Sequence, residues 1–236
     1  MSADAALTDV ILLCGGLGTR LGKALGAAPK PMALIGNKPF LQILVDQAAR
    51  RGFKRFIFCV GHRAEVVEGA FHDGGGLTFV FSRESSPLGT GGALKLCEPL
   101  RRSPFSLVMN GDSFCDIDLA GLLEFASARG GVGAIAAARA EGRVDGGFIE
   151  SDADGRITAF RERTPGVSSR LNAGIYALGT PAFSVIPSGR PCSLETGVFP
   201  ALIDAGLYAY PVEEPLYDIG TPERLEAFRR RFSGEF

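Results

Sequence analysis

The sequence predicts a doubly wound α/β fold with a mainly parallel sheet and a small inserted β region. Apolar runs rich in β-branched residues alternate with helix-period patterns through the first half of the chain, which is typical of βαβ units. Shorter alternating runs after about residue 140 predict the inserted β region. With 236 residues and 46% hydrophobic content the chain can bury a full core, and we expect residues 1–236 to form one domain.

The first half supplies the predicted parallel strands and the helices between them. Helix-period spacing in KPFLQILVDQAARRG places Phe40, Leu44 and Ala48 on one face, and Gly52 is a plausible residue to end that helix. RAEVVEGAFH predicts a second helix, and PLGTGGALKLCEPL predicts a loop that leads into a third. The predicted strands are DVILLC, FKRFIFCVG, GLTFVFS and FSLVMNGDSF.

The second half is less regular. VGAIAAARA and LNAGIYAL predict strands, and GGFIESDADGRITAFRER predicts a hairpin that turns at Asp154 and Gly155. SLETGVFPALIDAG predicts a helix that begins near Ser193, and YAYPV predicts a short edge strand. TPERLEAFRRRF predicts a final helix with Thr221 as its N-cap and Pro222 at its first position.

Composition excludes several classes of partner. A net charge of -1 gives no broad cationic surface, so we expect neither nucleic-acid nor membrane binding. Five scattered cysteines without a CxxC pair argue against both a disulfide framework and a zinc site. The first residues, MSADAALTD, lack an apolar leader, so we expect a cytoplasmic protein.

A glycine-rich loop follows the first predicted strand, in LLCGGLGTRLGKALGAAPKPM. It lacks the third glycine of the dinucleotide fingerprint, because Leu21 stands there, and its spacing does not fit the nucleotide-triphosphate P-loop. The loop offers backbone donors at 15–19, a forked cation at Arg20, and Lys30 between two prolines that restrict its backbone. This set suits phosphate groups, although a solvated turn is the alternative from composition alone.

Two aspartates stand where ligands collect in open α/β sheets. Asp112 ends a buried strand, and Asp218 precedes the last helix. Either alone is typical of a cap or turn, but together they predict a Mg²⁺ site completed by water and substrate phosphates.

Six motifs in this order, CGGLGTRL, PKPM, PLGTGGAL, NGDSFCDIDL, LNAGIY and DIGTPE, resemble those of the sugar-1-phosphate nucleotidylyltransferases. The resemblance covers nearly the whole chain and implies a Rossmann-like, GT-A-like nucleotidyltransferase fold. Within this family, CGGLGTRL, PLGTGGA and FCDIDL are most similar to the D-glycero-α-D-manno-heptose 1-phosphate guanylyltransferases.

The resemblance implies that a sugar 1-phosphate oxygen attacks the α-phosphorus of a nucleoside triphosphate and releases pyrophosphate. No general base is needed, because the second pKa of a phosphate monoester is about 6. The resemblance assigns catalysis to Arg20, Lys30, Asp112 and Asp218, with Mg²⁺ on the two aspartates. It assigns nucleotide binding to Leu13, Gly15, Gly16, Gly18, Thr19, Pro87, Gly89, Thr90 and Gly111. It assigns sugar-phosphate binding to Gly147, Glu162, Arg163 and Asn172.

One position departs from the family pattern, because Arg163 stands where many members carry lysine. Arginine keeps the charge but is planar and bidentate, and a solvated arginine is the alternative. The motifs do not distinguish between several pairs of substrates. Mannose 1-phosphate with GTP, or another hexose 1-phosphate with UTP, CTP or dTTP, fits the same motifs. A catalytically silent sugar-nucleotide sensor is a different class of function. A homodimer and a role in capsule or lipopolysaccharide synthesis are further expectations.

Overall fold

The computed structural model describes residues 4–16, 18, 28–140, 146–161 and 170–235. The strands within these ranges are β1 (Asp9–Leu13), β2 (Leu34–Ile35), β3 (Lys38–Pro39), β4 (Arg55–Val60), β5 (Thr78–Arg83), β6 (Phe105–Asn110), β7 (Ser113–Phe114), β8 (Gly133–Ala138), β9 (Phe148–Ser151), β10 (Ile157–Arg161), β11 (Arg170–Gly179), β12 (Leu207–Pro211) and β13 (Tyr217–Asp218). The α-helices are α1 (Phe40–Arg50), α2 (Ala64–Glu68), α3 (Gly89–Cys97), α4 (Leu119–Ala128), α5 (Thr180–Ser184), α6 (Phe199–Leu202) and α7 (Pro222–Arg231). No helix in these ranges is long and apolar enough to cross a bilayer.

A nine-stranded mixed sheet organises the fold. The strands β6, β1, β4 and β5 are parallel neighbours in that order, which confirms the doubly wound α/β prediction. The strand β11 pairs antiparallel with both β6 and β8, and β12 pairs parallel with β8 at an edge. The predicted inserted β region is the hairpin β9–β10, and pairing of β9 with β11 makes it part of the same sheet.

Both faces of the sheet are covered, as the uninterrupted apolar strands require. Alternation along β1 sends Val10 and Leu12 into one hydrophobic core and Ile11 into the other. The predicted apolar face of α1, with Phe40 and Leu44, packs into the first of these cores.

Two predicted helices are shorter than expected. The helix predicted at 63–72 is only α2, which ends before Gly69. The helix predicted from Ser193 is a π-helical turn, Leu194–Val198, followed by α6. Ser193 is its N-cap as predicted, because its hydroxyl accepts from the backbone N–H of Thr196. Gly197 and Pro200 lie inside this stretch, and both residue types interrupt α-helical hydrogen bonding.

A buried ion pair anchors β1 at the edge opposite its glycine loop. Asp9 is 1% exposed and pairs with Arg55 of the neighbouring β4. Its carboxylate also accepts from the backbone N–H of Arg102 at 2.5 Å and of Ser103 at 3.0 Å. Burial by itself raises the pKa of Asp9, but these hydrogen bonds and Arg55 outweigh burial and lower the pKa below its usual 3.8.

Replacing this carboxylate with an amide should destabilise the fold at neutral pH. We expect Asp9→Asn to lower the free energy of unfolding by about 3 kcal/mol, because it leaves a buried arginine without its charge partner. The contribution of Asp9 is complete above its unfolded pKa and is lost as the pH falls through the lower folded pKa. Urea unfolding from pH 7 down to pH 3 should therefore show the wild type and the variant converging in acid.

The matched control is Glu65→Gln, the same chemical change in a 3.6 Å ion pair whose glutamate is 66% exposed. This variant should change the free energy of unfolding by less than about 1 kcal/mol. Equal effects of the two substitutions at pH 7 would contradict the structural role given to Asp9.

Candidate active site

The parallel strands of the sheet end at one edge, and a cavity of about 520 Å³ lies there. In the register of β1 and β6, Leu13 is opposite Asn110, so the segments that follow these strands emerge side by side. The sequence-predicted residues that line the cavity are Leu13, Gly15, Gly16, Gly18, Lys30, Pro87, Gly89, Thr90, Gly111 and Asp112. The structure thus places the glycine loop, the PLGTGG segment and the NGD segment around one cavity, and their binding roles stay predictions.

Glycine is required at two of these positions by close packing. The N–H of Gly111 donates to the carbonyl oxygen of Leu13 at 3.0 Å, and a Cβ at Gly111 would lie 2.7 Å from that oxygen. Gly18 has φ +60°, and a Cβ there would lie 3.1 Å from the Cβ of Lys30. The glycine loop thus packs directly on Lys30, which the sequence analysis predicts to bind phosphate.

Lys30 faces Asp112 across the cavity floor. Its backbone lies in a short 3₁₀ turn, Lys30–Met32, which follows Pro29. The Nζ atom is 2.6 Å from Oδ2 of Asp112, and the lysine side chain is only 10% exposed. The other carboxylate oxygen, Oδ1, accepts from the hydroxyl of Ser113 at 3.1 Å. Lys30 is therefore a buried cation with a defined position rather than a solvated surface charge.

A two-stranded ladder brings the second aspartate to the same place. The strands β7 and β13 pair antiparallel with Asp218 opposite Ser113, and the N–H of Ile219 donates to the carbonyl oxygen of Asp112 at 3.0 Å. The Oδ1 atom of Asp218 accepts from the N–H of Gly220 at 2.9 Å, and Gly220 lines the cavity. The backbone segments that carry the two aspartates are therefore adjacent, and a metal bound by both carboxylates stays a prediction.

The donor set at this position fits a hard divalent cation. Two carboxylates on adjacent backbone segments offer oxygen ligands, and Mg²⁺ usually takes its remaining ligands from water and phosphate. Across the described ranges, no group of three or more His, Cys, Asp and Glu side chains is arranged to hold a metal. A cation here would therefore depend on Asp112, Asp218 and the oxygens of a bound substrate.

Glu84 lines the cavity and was missed by the sequence analysis. It directly follows β5, at the same edge as Asp112, and its Oε2 accepts from the N–H of Leu88 at 2.9 Å. A Cβ at Gly15 would lie 2.8 Å from Oε1 of Glu84, so the absence of a side chain at Gly15 gives the carboxylate its room. A polar residue at the end of a parallel strand is the signal that would have identified it.

Glu195 is a second cavity carboxylate that the sequence analysis missed. Its Oε2 accepts from the hydroxyls of Thr90 at 3.2 Å and Ser193 at 2.9 Å. The Thr90 hydroxyl also accepts from the N–H of Leu194 at 2.8 Å. Thr90 therefore connects the start of α3 to the turn that carries Glu195. If Thr90 also contacts the nucleotide as predicted, it must do so while keeping these hydrogen bonds.

The predicted sugar-side residues Gly147 and Asn172 are neighbours in the structure. The N–H of Asn172 donates to the carbonyl oxygen of Gly147 at 2.8 Å. The side-chain oxygen of Asn172 accepts from the N–H of Gly174 at 2.9 Å. On the same strand, the hydroxyl of Tyr176 accepts from the side chain of Asn110, which lines the cavity, at 3.4 Å. Burial raises the pKa of Tyr176, so its hydroxyl stays neutral.

Four predicted site residues lie outside the described residues: Thr19, Arg20, Glu162 and Arg163. Their assignments stay predictions from the family resemblance.

The cavity cysteine is inert. Cys14 lines the cavity wall, and burial, with a smaller contribution from Asp112, raises the pKa of its thiol. All five cysteines are free, and four of them are buried.

Two curated relatives are similar to this chain in sequence. The mannose-1-phosphate guanylyltransferase of Mycobacterium tuberculosis (strain ATCC 25618 / H37Rv) is 34% identical over 221 residues, which cover 91% of this chain and 62% of that protein. The mannose-1-phosphate guanyltransferase of Saccharomyces cerevisiae (strain ATCC 204508 / S288c) is 33% identical over 223 residues, which cover 90% of this chain and 61% of that protein. The chain thus spans less than two thirds of the length of these relatives.

A solved structure shares nearly the whole architecture. The crystal structure of HddC from Yersinia pseudotuberculosis complexed with GMP-PN matches with a TM-score of 0.83 and 28% sequence identity. The match covers 95% of this chain and 99% of that chain. The family model described as nucleotidyl transferase matches residues 9–232, from the start of β1 to just beyond α7. Since that range includes the sheet, the glycine loop and both aspartates, the chain belongs to the nucleotidyl transferase family.

Proposed function

We propose that this protein transfers GMP from GTP to a sugar 1-phosphate, giving a GDP-sugar and pyrophosphate. The observation that carries this proposal is the meeting of Lys30, Asp112 and Asp218 beside a cavity lined by the glycine loop. These groups suit a polyanionic substrate, and the family membership supports nucleotidyl transfer to a small molecule.

The chemistry needs charge neutralisation more than proton transfer. A sugar 1-phosphate oxygen forms the new bond to the α-phosphorus while the bond to pyrophosphate breaks. The nucleophile is already ionised near neutral pH. In keeping with this, no histidine is among the described residues that line the cavity.

Lys30 is placed to bind a phosphate oxygen. Its ammonium sits at the cavity floor, where it can exchange Asp112 for the triphosphate as charge builds on the departing group. Loop N–H groups at Gly15, Gly16 and Gly18 line the same wall and can donate to phosphate oxygens. A divalent cation held by Asp112 and Asp218 would supply further neutralisation of the triphosphate.

Glu84 supports guanine as the base. Guanine presents two adjacent donors, the N1–H and the 2-amino group, and a carboxylate accepts both in a two-pronged contact. Uracil and thymine present one N–H between two carbonyl oxygens, which a carboxylate repels. Among the described residues no hydrogen bond reaches Oε1 of Glu84, whereas Oε2 is bound to Leu88. The guanine nucleotide in the Yersinia structure and the relatives' printed names favour the same base.

The sugar is proposed to be D-glycero-α-D-manno-heptose 1-phosphate, on the likeness of CGGLGTRL, PLGTGGA and FCDIDL to the heptose enzymes. Mannose 1-phosphate is the second candidate, and the names of the curated relatives favour it. The expected homodimer, cytoplasmic location and role in capsule or lipopolysaccharide synthesis stay predictions that accompany this proposal.

A substrate grid tests the proposal directly. Pyrophosphate release would be measured with Mg²⁺ for GTP, UTP, CTP and dTTP against manno-heptose, mannose and glucose 1-phosphates. We expect turnover with GTP and the heptose phosphate, with mannose 1-phosphate slower. Nucleotide binding without turnover on any pair would replace the transferase with the sugar-nucleotide sensor.

Glu84→Gln should weaken guanine selection. The amide offers a donor where guanine needs an acceptor, so kcat/KM for GTP should fall about 10- to 100-fold. The substitution should lower kcat/KM less for inosine triphosphate, which lacks the 2-amino group. The ratio of kcat/KM for GTP to that for UTP should also decrease. Pyrophosphate release with the three nucleotides and one sugar phosphate measures both ratios.

Glu65→Gln is the control for this variant, since it makes the same change outside the cavity. It should leave both nucleotide ratios at their wild-type values. If Glu84→Gln also leaves them there, Glu84 does not contact the base.

Asp112→Asn should remove most metal-dependent turnover while leaving the fold intact. The amide is a weaker ligand for a hard cation, so kcat should fall at least about 100-fold at saturating GTP. Thermal unfolding and GTP binding without metal report folding. A kcat close to that of the wild type in a folded Asp112→Asn variant would show that Asp112 is not an essential metal ligand.

A further inference from the structure

Asp218 is held by an arginine as well as by its own backbone. One guanidinium nitrogen of Arg224, Nη1, lies 3.2 Å from both Oδ1 and Oδ2 of Asp218. The Asp218 side chain is 15% exposed and that of Arg224 is 34% exposed, so water screens this pair only in part. The contact places a positive charge directly against one of the two proposed metal ligands.

The start of α7 determines where this arginine lies. Thr221 is the N-cap, and its hydroxyl accepts from the N–H of Arg224 at 3.3 Å. Long side chains on a helix point back towards its N-terminus, which is the direction of Asp218. Further along α7, Phe228 packs edge-on against Tyr217 and Phe114, the aromatic residues of β13 and β7. The helix that carries Arg224 is therefore fixed to the ladder that contains Asp218 and directly follows Asp112.

Lys30 and Arg224 differ in what they can do at this site. Lys30 is a single ammonium on a flexible stem, which can exchange a carboxylate for a phosphate oxygen. Arg224 stays charged at every relevant pH, and its contact with Asp218 is anchored outside the cavity lining. A divalent cation that binds Asp218 must therefore do so close to a fixed positive charge, whatever Lys30 does.

We propose that Arg224 is a positioning residue that orients Asp218 and keeps the metal affinity of the two aspartates low on their own. Tight metal binding then requires the phosphate oxygens of the nucleotide, which add ligands and negative charge. This inference rests on the proposed function, because it takes Asp112 and Asp218 as the metal ligands. Its consequence is that the cation enters and leaves with the phosphates instead of residing on the protein.

Direct Mn²⁺ binding tests the proposal without turnover. Electron paramagnetic resonance would measure the free Mn²⁺ concentration in titrations of the wild type and of Arg224→Met. This substitution keeps the side-chain length and removes the charge. We expect Mn²⁺ without nucleotide to bind about tenfold more tightly to this variant than to the wild type, because a repulsive charge within a few ångströms is gone. With a non-hydrolysable GTP analogue, the same substitution should change Mn²⁺ affinity less than about threefold.

Three companion variants separate the effect of the Arg224 charge from an effect on folding. Arg224→Lys keeps a positive charge and should bind Mn²⁺ like the wild type. Arg230→Met makes the same change at an exposed position of the same helix and should leave Mn²⁺ affinity unchanged. Adding Asp218→Asn to Arg224→Met should abolish the gain, which would tie it to that carboxylate. Thermal unfolding of each variant reports its fold.

Unchanged or weaker Mn²⁺ binding in a folded Arg224→Met variant would overturn the inference. So would a failure of both proteins to bind Mn²⁺ with the nucleotide analogue, because the metal site itself would then be wrong. The proposed function fails separately, through absence of turnover across the substrate grid while the Mn²⁺ results hold.

Discussion

Two backbone rungs between Ser113–Phe114 and Tyr217–Asp218 carry the candidate site. They join the end of a parallel strand to a segment that lies next to the last helix, so Asp112 and Asp218 meet although they are far apart in sequence. The aromatic rings of Phe114, Tyr217 and Phe228 pack against one another beside these two backbone pairs. Because the rungs are so few, their geometry depends on that packing, and the position of Arg224 depends on it too.

The two ends of β1 show how one strand serves stability and binding at once. The first residue of β1, the buried Asp9, pairs with Arg55 and accepts hydrogen bonds from backbone N–H groups. Its charge is therefore balanced by groups of the protein itself. At its other end the chain turns into glycines whose N–H groups line a cavity. The polar groups that hydrogen-bond within the protein lie at one edge of the sheet, and the groups available to a ligand lie at the opposite edge.

Sequence patterns predicted most of the fold because long apolar strands and capped helices are local signals, as at β1, α1 and α7. The order of strands was not readable, since pairing of β11 with β6 and β8 depends on contacts between distant segments. Asp112 was predicted from its place at a strand end, but Glu84 was missed because no familiar motif marks it. Glu195 was missed for another reason: it lies in a π-helical turn, and helix-period patterns do not distinguish such a turn.

Close packing around glycines limits which residues near the candidate site can change. The N–H groups of Gly91 and Gly92 donate to the carbonyl oxygen of Cys192 at 2.9 and 3.2 Å, and Cβ atoms there would lie 3.0 Å from the side chain of Val198 and 2.8 Å from that of Leu88. The Glu84 carboxylate accepts from the N–H of Leu88, and Cβ atoms at Gly15 and Gly61 would lie 2.8 and 2.5 Å from its Oε1. Under the proposed contact with the base, a change of base preference at Glu84 is therefore constrained by these two glycines, whose missing side chains give the carboxylate its room.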